Sequence, residues 1–258
     1  MEFFFILALG RSGTNFLASL LNKDPNALVY HEPYIDDRKL IGLRYSGCFN
    51  KVVNNSLEKR FKNLLKKDTE FKIYGEVNSY LRYEIEWLRK KFNPIIIHLI
   101  RDGRDYVRSA YIRTVYTPKE IQLPIIPHDK DPYAEKWQDM TRFQKLCWYW
   151  MHTNEFLSKK IKNFVRFENL MIDYDYFNKK ILKPTGLNIS YECWKKEVKK
   201  PRNTSRRRTL RKKIKQNIFF WERAESIKPI PQWTEWDELK IEQFQEICGR
   251  TMKKFGYI

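Results

Sequence analysis

The sequence has few of the residues that build disulfide frameworks or zinc sites. Its 258 residues include only four cysteines and four histidines. No two cysteines have the CxxC spacing of a redox or zinc motif, and the cysteine and histidine spacing gives no zinc site. Scattered cysteines of this kind are typical of thiols in a reducing compartment, so we predict a cytoplasmic location.

Long hydrophobic runs are also missing. No stretch approaches the roughly 20 apolar residues that a membrane-spanning helix requires. The apolar residues 3–9 have no basic region before them and no small-residue cleavage site after them. We therefore interpret this segment as a first buried strand and not as a signal peptide.

Acidic residues are in deficit. The chain has 31 Asp and Glu against 50 Lys and Arg, which gives a net charge of +19. This excess favours an anionic partner: a nucleotide, an acidic glycan, a nucleic acid or a membrane surface. It is concentrated in residues 195–215, where twelve basic residues accompany a single acid, Glu197.

Hydrophobic residues make up 42% of the chain, and apolar runs alternate with amphipathic segments. Strands are predicted at 3–9, 27–30, 71–77, 95–100 and 163–167. Helices are predicted at 16–21, 56–65, 81–92, 106–111, 137–151, 174–187 (with a connector) and 239–255. The alternation predicts one α/β domain over residues 1–258, with a central parallel sheet of four or five strands flanked by helices.

The loop after the first strand has the composition of an anion-binding turn. Residues 10–15 have the sequence GRSGTN and lie between a strand and a helix start. Backbone N–H groups and the positive helix end both point into such a loop, and Arg11 adds a cation, so the segment is a P-loop-like phosphate site. It is not a Walker A loop, because Thr14 follows Gly13 where that motif has lysine. The alternative interpretation is an ordinary turn with a helix cap.

A second polar loop follows the predicted strand 95–100. Residues 101–105 have the sequence RDGRD and open the next helix. Ligands of open α/β sheets bind beyond the carboxyl ends of the strands, so we expect the two loops to share one edge of the sheet. The alternative is that these arginines and aspartates form surface ion pairs of little energetic value.

Four segments together resemble the PAPS-dependent sulfotransferases, closest in motif to the carbohydrate and tyrosyl-protein branches. They are LGRSGTNFL (9–17), IHLIRDGRD (97–105) with Ser109 behind it, FVRFENL (164–170) and FGY (255–257), and they follow the order found in the family. The first resembles the family's 5′-phosphosulfate loop and the second its 3′-phosphate motif.

The resemblance implies that the chain transfers a sulfuryl group from 3′-phosphoadenosine-5′-phosphosulfate (PAPS) to an acceptor hydroxyl, with 3′,5′-ADP as the product and no metal. It places the 5′ side of the donor on Arg11, Ser12, Gly13, Thr14 and Asn15. It places the 3′-phosphate on Arg101 and Ser109. Arg11 is also catalytic in this scheme, since it stabilises charge on the departing phosphate.

The general base implied by the resemblance is Glu32, in the segment YHEPY (30–34). The strand that supplies a histidine base in the family's small-molecule branch has no histidine here, which favours Glu32, and Glu76 is the second candidate. We expect His31 to point away from Glu32 on an extended segment. His98 alternates into a buried strand, which predicts a core residue.

Two further segments, a proline-rich loop and the basic segment, are predicted to lie over the ligands. Residues 115–133 form a proline-rich loop that we expect to act as a flap over the acceptor. A carbohydrate or another polar hydroxyl compound is favoured as the acceptor, with a peptide tyrosine or a lipid headgroup as alternatives. The resemblance implies that the basic segment 195–215 closes over the donor nucleotide with Ser205 and Arg206. The surplus of basic residues there also suits an anionic acceptor or peripheral contact with an anionic membrane.

Two other function classes remain as alternatives. A P-loop kinase or nucleotide hydrolase would require Mg²⁺ and a substitute for the absent lysine. A basic nucleic-acid-binding protein would use the net charge, but the chain has no recognisable nucleic-acid motif, so we expect no nucleic-acid partner.

Overall fold

The computed structural model describes residues 1–34, 36–65, 70–120, 123–200 and 229–258. At its centre is a parallel sheet of five strands in the order β2-β3-β1-β4-β5. The strands are β1 (Glu2–Ala8), β2 (Ala27–His31), β3 (Ile73–Asn78), β4 (Ile95–Ile100) and β5 (Phe164–Arg166). This confirms the predicted α/β fold and parallel sheet.

Helices connect the strands and cover both faces of the sheet. They are α1 (Thr14–Leu21), α2 (Asp37–Ser46), α3 (Asn50–Leu65), α4 (Ile85–Phe92), α5 (Gly103–Tyr111), α6 (Arg142–Lys160), α7 (Phe167–Ile172), α8 (Tyr174–Phe177), α9 (Lys183–Thr185), α10 (Tyr191–Val198) and α11 (Glu238–Lys254). Short 3₁₀ turns occur at Leu81–Tyr83 and Trp233–Glu235, and a π turn at Asn178–Leu182. No helix in the described ranges is both long enough and apolar enough to cross a membrane.

The central strand β1 is apolar from Phe3 onward, and its residues Phe4–Ala8 are buried because helices cover both faces of the sheet. Phe4 and Ile6 pack with α1, α7, α8 and α10 in one hydrophobic cluster. Phe5 and Leu7 point to the other face and pack with α3 and α4. A third cluster, between α5, α6 and α11, extends the core beyond the carboxyl ends of β1 and β4.

The strand order fixes where a ligand can bind. The chain leaves β1 towards β2 on one side and later continues through β4 to β5 on the other. The carboxyl ends of β1 and β4 are therefore neighbours at the point where the direction of winding reverses, which is where open α/β sheets bind their ligands. The loops GRSGTN and RDGRD follow these two strands.

Some helices differ from the prediction, and three of the differences have a clear physical cause. Helix α2 was not predicted, because its sequence DRKLIGLRYS has little apolar periodicity. The predicted helix 137–151 begins only at Arg142, since Thr141 is extended and forms a capping box with Gln144. The predicted helix 81–92 is interrupted at Glu84, which is buried and whose two carboxylate oxygens share a hydrogen bond donated by Arg44 Nε.

Candidate functional site

The loop after β1 is held in an unusual backbone conformation. Arg11 has φ 79° and Gly13 has φ 85°, both in the left-handed region. A Cβ on Gly13 would lie 2.1 Å from the ring of Phe167, so only glycine fits. A non-glycine residue in the left-handed region is costly, and such strain is concentrated at binding and catalytic sites. Helix α1 begins at the next residue, Thr14, so its positive end faces the loop.

The two polar loops meet, although 90 residues of chain separate Arg11 from Arg101. Arg101 Nη1 donates a hydrogen bond to the backbone oxygen of Arg11 at 3.1 Å. Arg11 Nε donates to Ser109 Oγ at 3.0 Å, which joins the first loop to helix α5. The structure therefore brings together three of the residues that the sequence motifs singled out.

The second loop contains two arginines, Arg101 and Arg104, which have different hydrogen-bonding environments. Arg101 Nη2 lies 3.3 Å from Asp105 Oδ2, whereas Arg101 Nε is buried and has no hydrogen-bond partner among the described residues. Asp102 caps helix α5 by accepting a hydrogen bond from the backbone N–H of Arg104. The guanidinium of Arg104 pairs with Asp102 at 2.6 Å and stacks on Trp233 at 4.2 Å.

Glu32 lies at the same edge of the sheet, at the end of β2. Its φ is 46°, and its Oε1 accepts hydrogen bonds from the backbone N–H (3.4 Å) and the hydroxyl of Ser79. Ser79 lies beside the first loop, since its Oγ is 3.6 Å from the position that a Cβ on Gly10 would occupy. Sequence reasoning missed Ser79; the available signal was its position directly after β3 at the ligand edge.

His31 does not point away from Glu32, contrary to expectation. Its Nε2 lies 2.9 Å from Thr14 Oγ1 and 3.8 Å from Glu32 Oε2, and its Nδ1 lies 3.5 Å from Asn15 Nδ2. Strand β2 ends at His31 and Glu32 turns into the left-handed region, so the alternation of an extended strand does not apply. Burial lowers the pKa of His31. His31 therefore connects the first loop to Glu32.

Glu76 occupies a different environment from Glu32. Its side chain is 0% exposed, against 17% for Glu32. It contacts Arg60 at 2.6 Å and accepts hydrogen bonds from Tyr74 and from Asn78 at 2.9 Å. All of these contacts lie inside the protein, so Glu76 is part of a buried ion-pair cluster.

Arg60 is shared between two carboxylates in that cluster. Its Nη2 also lies 2.9 Å from Asp37, at the start of α2, and its guanidinium stacks on Tyr34 at 4.6 Å. Burial raises the pKa of Asp37 to about 6, although Arg60 opposes this change. The cluster anchors the segment that follows Glu32 to the sheet.

The remaining predicted residues fall into three groups. Ser12 and Thr14 are buried in the first loop, and Asn15 is exposed beside His31. His98 is a core residue, as predicted: it is fully buried, it pairs with Asn154 at 2.9 Å, and burial lowers its pKa to about 4. Ser205 and Arg206 lie outside the described residues; residues 195–200 of the basic segment belong to α10 and its end.

The described parts of the loop 115–133, which the sequence predicts to be a flap, form neither helix nor strand. Arg142 anchors the start of the flap by donating hydrogen bonds to the backbone oxygens of Tyr111 (2.9 Å), Arg113 and Val115 (2.9 Å). An open cavity of about 270 Å³ lies against this loop and is lined by Tyr116, Thr117, Glu120, Pro124, Ile126, Trp137 and Lys145.

This cavity is linked to Glu32 through packed side chains. Tyr116 contacts Tyr149 edge to face, with ring centroids 5.8 Å apart. Arg82 donates hydrogen bonds to the hydroxyl of Tyr149 and to the backbone oxygen of Ser79, which holds Glu32. Polar and aromatic groups therefore extend from the candidate base to the space beneath the flap.

The fold was compared with known protein families, curated proteins and solved structures. No protein-family model and no curated protein matches the chain. Among solved structures, mouse sulfotransferase SULT7A1 complexed with PAP is similar, with a TM-score of 0.53, 15% identity, and coverage of 98% of this chain and 85% of that chain. The chain has the sulfotransferase fold. At this identity the likeness concerns the fold, and it agrees with the resemblance that the four sequence segments indicated.

Two further solved structures cover nearly the whole chain. The sulfotransferase domain from the curacin biosynthetic pathway has a TM-score of 0.47 at 10% identity and covers 97% of each chain. A sulfotransferase from Alicyclobacillus acidocaldarius has a TM-score of 0.47 at 12% identity and covers 96% of each chain.

Proposed function

We propose that this protein is a sulfotransferase that moves a sulfuryl group from PAPS to an acceptor hydroxyl and releases 3′,5′-ADP. The observation that carries the proposal is the meeting of the two loops on a sulfotransferase fold. Arg101 donates to the backbone of Arg11, and Arg11 donates to Ser109, at 3.1 and 3.0 Å. A similar structure was solved with PAP, which is 3′,5′-ADP.

The residues at this edge of the sheet fit a bisphosphorylated nucleotide. The first loop offers backbone N–H groups, a helix N-terminus and Arg11, which suit a phosphate that becomes more negative as sulfur departs. The second loop offers Arg101, whose side chain is partly exposed. A guanidinium suits a distal phosphate, because it can donate two parallel hydrogen bonds.

Glu32 is the base in this proposal. Ser79 saturates Oε1, whereas Oε2 lies 3.8 Å from His31 Nε2 and is the oxygen that would accept a proton. The acceptor oxygen attacks sulfur, the bond from sulfur to the phosphate oxygen breaks, and the hydroxyl proton passes to Glu32. Glu76 fits this role poorly, because it is 0% exposed and paired with Arg60.

The lining of the cavity beneath the flap supports a polar acceptor. Glu120 and Lys145 provide charged hydrogen-bonding groups, and Tyr116 provides an aromatic surface. Burial raises the pKa of Glu120, and its carboxylate accepts a hydrogen bond from the backbone N–H of Tyr116 at 2.7 Å. Carboxylates and aromatic rings together suit a hydroxyl-rich compound such as a carbohydrate.

Ligand-induced thermal shifts test the donor assignment. We expect 3′,5′-ADP to raise the Tm of the protein, whereas ATP with Mg²⁺ and an oligonucleotide do not. A ligand present at 100 times its Kd adds about 2.7 kcal/mol to the free energy of unfolding. Arg11→Ala should abolish most of the shift. A larger shift with ATP and Mg²⁺ would favour a kinase, and salt-sensitive binding of the oligonucleotide would favour a nucleic-acid-binding protein.

The base is tested by a pair of matched variants in a screen of hydroxyl acceptors with PAPS. Glu32→Gln keeps an oxygen for Ser79, so the 3′,5′-ADP shift should persist while turnover falls about 10²–10⁴-fold. Glu76→Gln is the control and should lower stability more than turnover per folded molecule. The opposite pattern would transfer the role of base to Glu76.

A further inference from the structure

Two of the sequence segments, FVRFENL and FGY, meet at the second loop. Glu168, from the first segment, accepts a hydrogen bond from the backbone N–H of Asp102 on Oε1 at 3.0 Å. Its Oε2 accepts a hydrogen bond from the hydroxyl of Tyr257, from the second segment, at 2.9 Å. One carboxylate therefore joins the segment that follows strand β5, the residues after helix α11 and the loop that carries Arg101.

Tyr257 is itself held in place. The guanidinium of Arg166 stacks on its ring at 4.2 Å, and Arg166 Nη1 donates to the backbone oxygen of Gly256 at 2.7 Å. Burial, with a further contribution from the Glu168 carboxylate, raises the pKa of Tyr257, so the hydroxyl keeps its proton and acts as a donor. The contact between Tyr257 and Glu168 is thus a charge-assisted hydrogen bond.

The peptide group between Arg101 and Asp102 is fixed at both of its polar atoms. Trp150 Nε1 donates to the backbone oxygen of Arg101 at 3.0 Å, and Trp150 is fully buried. Glu168 accepts from the N–H of the same peptide group. Because this peptide follows Cα of Arg101 directly, fixing it restricts the direction in which the Arg101 side chain leaves the loop.

We propose that Glu168 and Tyr257 are positioning residues that hold Arg101 for the 3′-phosphate and thereby set the preference for a 3′-phosphorylated nucleotide. The inference rests on the proposed function, because it assumes that Arg101 contacts the 3′-phosphate. A residue that acts through Arg101 affects ligands with a 3′-phosphate and leaves ligands without one unchanged. A residue that only stabilises the fold affects both ligands alike.

The test measures Kd by calorimetry for 3′,5′-ADP and for 5′-AMP, which lacks the 3′-phosphate. Glu168→Ala removes both hydrogen bonds, and we expect it to weaken binding of 3′,5′-ADP at least about tenfold, since a hydrogen bond to a charged group is worth that much. Binding of 5′-AMP should change less than about twofold. Tyr257→Phe removes only a hydroxyl and should give an intermediate loss.

Two matched variants make the test specific. In Glu168→Gln, the amide oxygen can still accept the hydrogen bond from the Asp102 N–H, and the amide nitrogen can donate one to the Tyr257 oxygen. This variant should therefore keep most of the preference for 3′,5′-ADP. Tyr176→Phe removes a hydroxyl that accepts a hydrogen bond, at 3.1 Å, from the backbone N–H of Arg166 in strand β5. It should lower Tm without changing the ratio of the two Kd values.

The outcomes separate the inference from the proposed function. If wild type binds both nucleotides equally and Arg101→Ala changes neither Kd, the proposed donor site is wrong. If wild type prefers 3′,5′-ADP and Arg101→Ala removes the preference, but Tyr257→Phe and Glu168→Ala keep it, the positioning role is overturned. Equal losses for both nucleotides in the Glu168 and Tyr257 variants would also overturn it.

Discussion

Replacing Gly13 with alanine tests how tightly the first loop is packed. The new Cβ would lie 2.1, 2.4 and 2.6 Å from three atoms of the Phe167 ring. Ordinary contacts begin near 3.4 Å, so the ring would have to withdraw by about an ångström or more. That ring contacts Phe16 edge to face at 6.1 Å and lies 5.9 Å from the Arg101 guanidinium, so its movement disturbs both the core and the second loop.

The cost of Gly13→Ala has two parts. An alanine at φ 85° is less favourable than glycine by about 1–2 kcal/mol. Overpacking against Phe167 adds about 1–3 kcal/mol. We therefore expect a loss of about 2–5 kcal/mol in the free energy of unfolding. At this chain length, such a loss lowers Tm by roughly 4–20 °C. Thermal denaturation with and without 3′,5′-ADP measures both the stability and the binding.

Substitutions at two other glycines separate the backbone cost of Gly13→Ala from its packing cost. Gly47 has φ 73°, and no atom lies within 4 Å of the point that a Cβ would occupy, so Gly47→Ala reports the backbone cost alone. Gly249 lies inside α11 with open space around it, so Gly249→Ala should stabilise the protein by about 0.5–1 kcal/mol. If Gly13→Ala is no more destabilising than Gly47→Ala, Phe167 does not close against the loop as described.

Three further predictions concern buried charges and the flap. Since the folded protein lowers the pKa of His98 from 6.5 to about 4, the unfolded chain binds more protons between these values, so stability is lost as pH falls. By pH 5 the loss is about 2 kcal/mol, and His98→Gln should flatten the dependence of Tm on pH. Arg60→Met leaves Asp37 and Glu76 buried without their cation and should cost about 3–5 kcal/mol in urea unfolding. Arg142→Lys cannot reach three backbone oxygens at once, so limited proteolysis should cut the flap several times faster.

Each of these predictions has a contrary result. An unchanged pH dependence in His98→Gln would mean that this histidine is not held neutral by burial. Lys160→Met is the control for Arg60→Met, because the ion pair of Lys160 with Glu86 is exposed and worth less than about 0.5 kcal/mol. If both substitutions lower the free energy of unfolding equally, the assigned role of Arg60 is wrong. Equal rates of proteolysis would show that Arg142 does not restrain the flap.

Periodicity was a good guide to the elements with strong hydrophobic patterns. β1 and β4 are apolar except for Glu2 and His98, and both lie in the sheet where predicted. Periodicity failed where burial came from tertiary packing. Trp137 is buried in the core beneath the flap without being helical, and α2 is held to the rest of the protein by polar contacts such as that of Arg44 with Glu84. These contacts leave no periodic signal in the sequence.

The sequence alone determined the alternation of strands and helices, and the placement of two polar loops at strand ends, because burial periodicity and turn composition are local properties of a chain. Only the tertiary structure decided that Arg101 reaches the backbone of Arg11, that His31 turns towards Glu32, and that Glu168 holds the second loop. Each of these contacts depends on backbone directions and on partners that the fold brings together through space. No local pattern of residues encodes them.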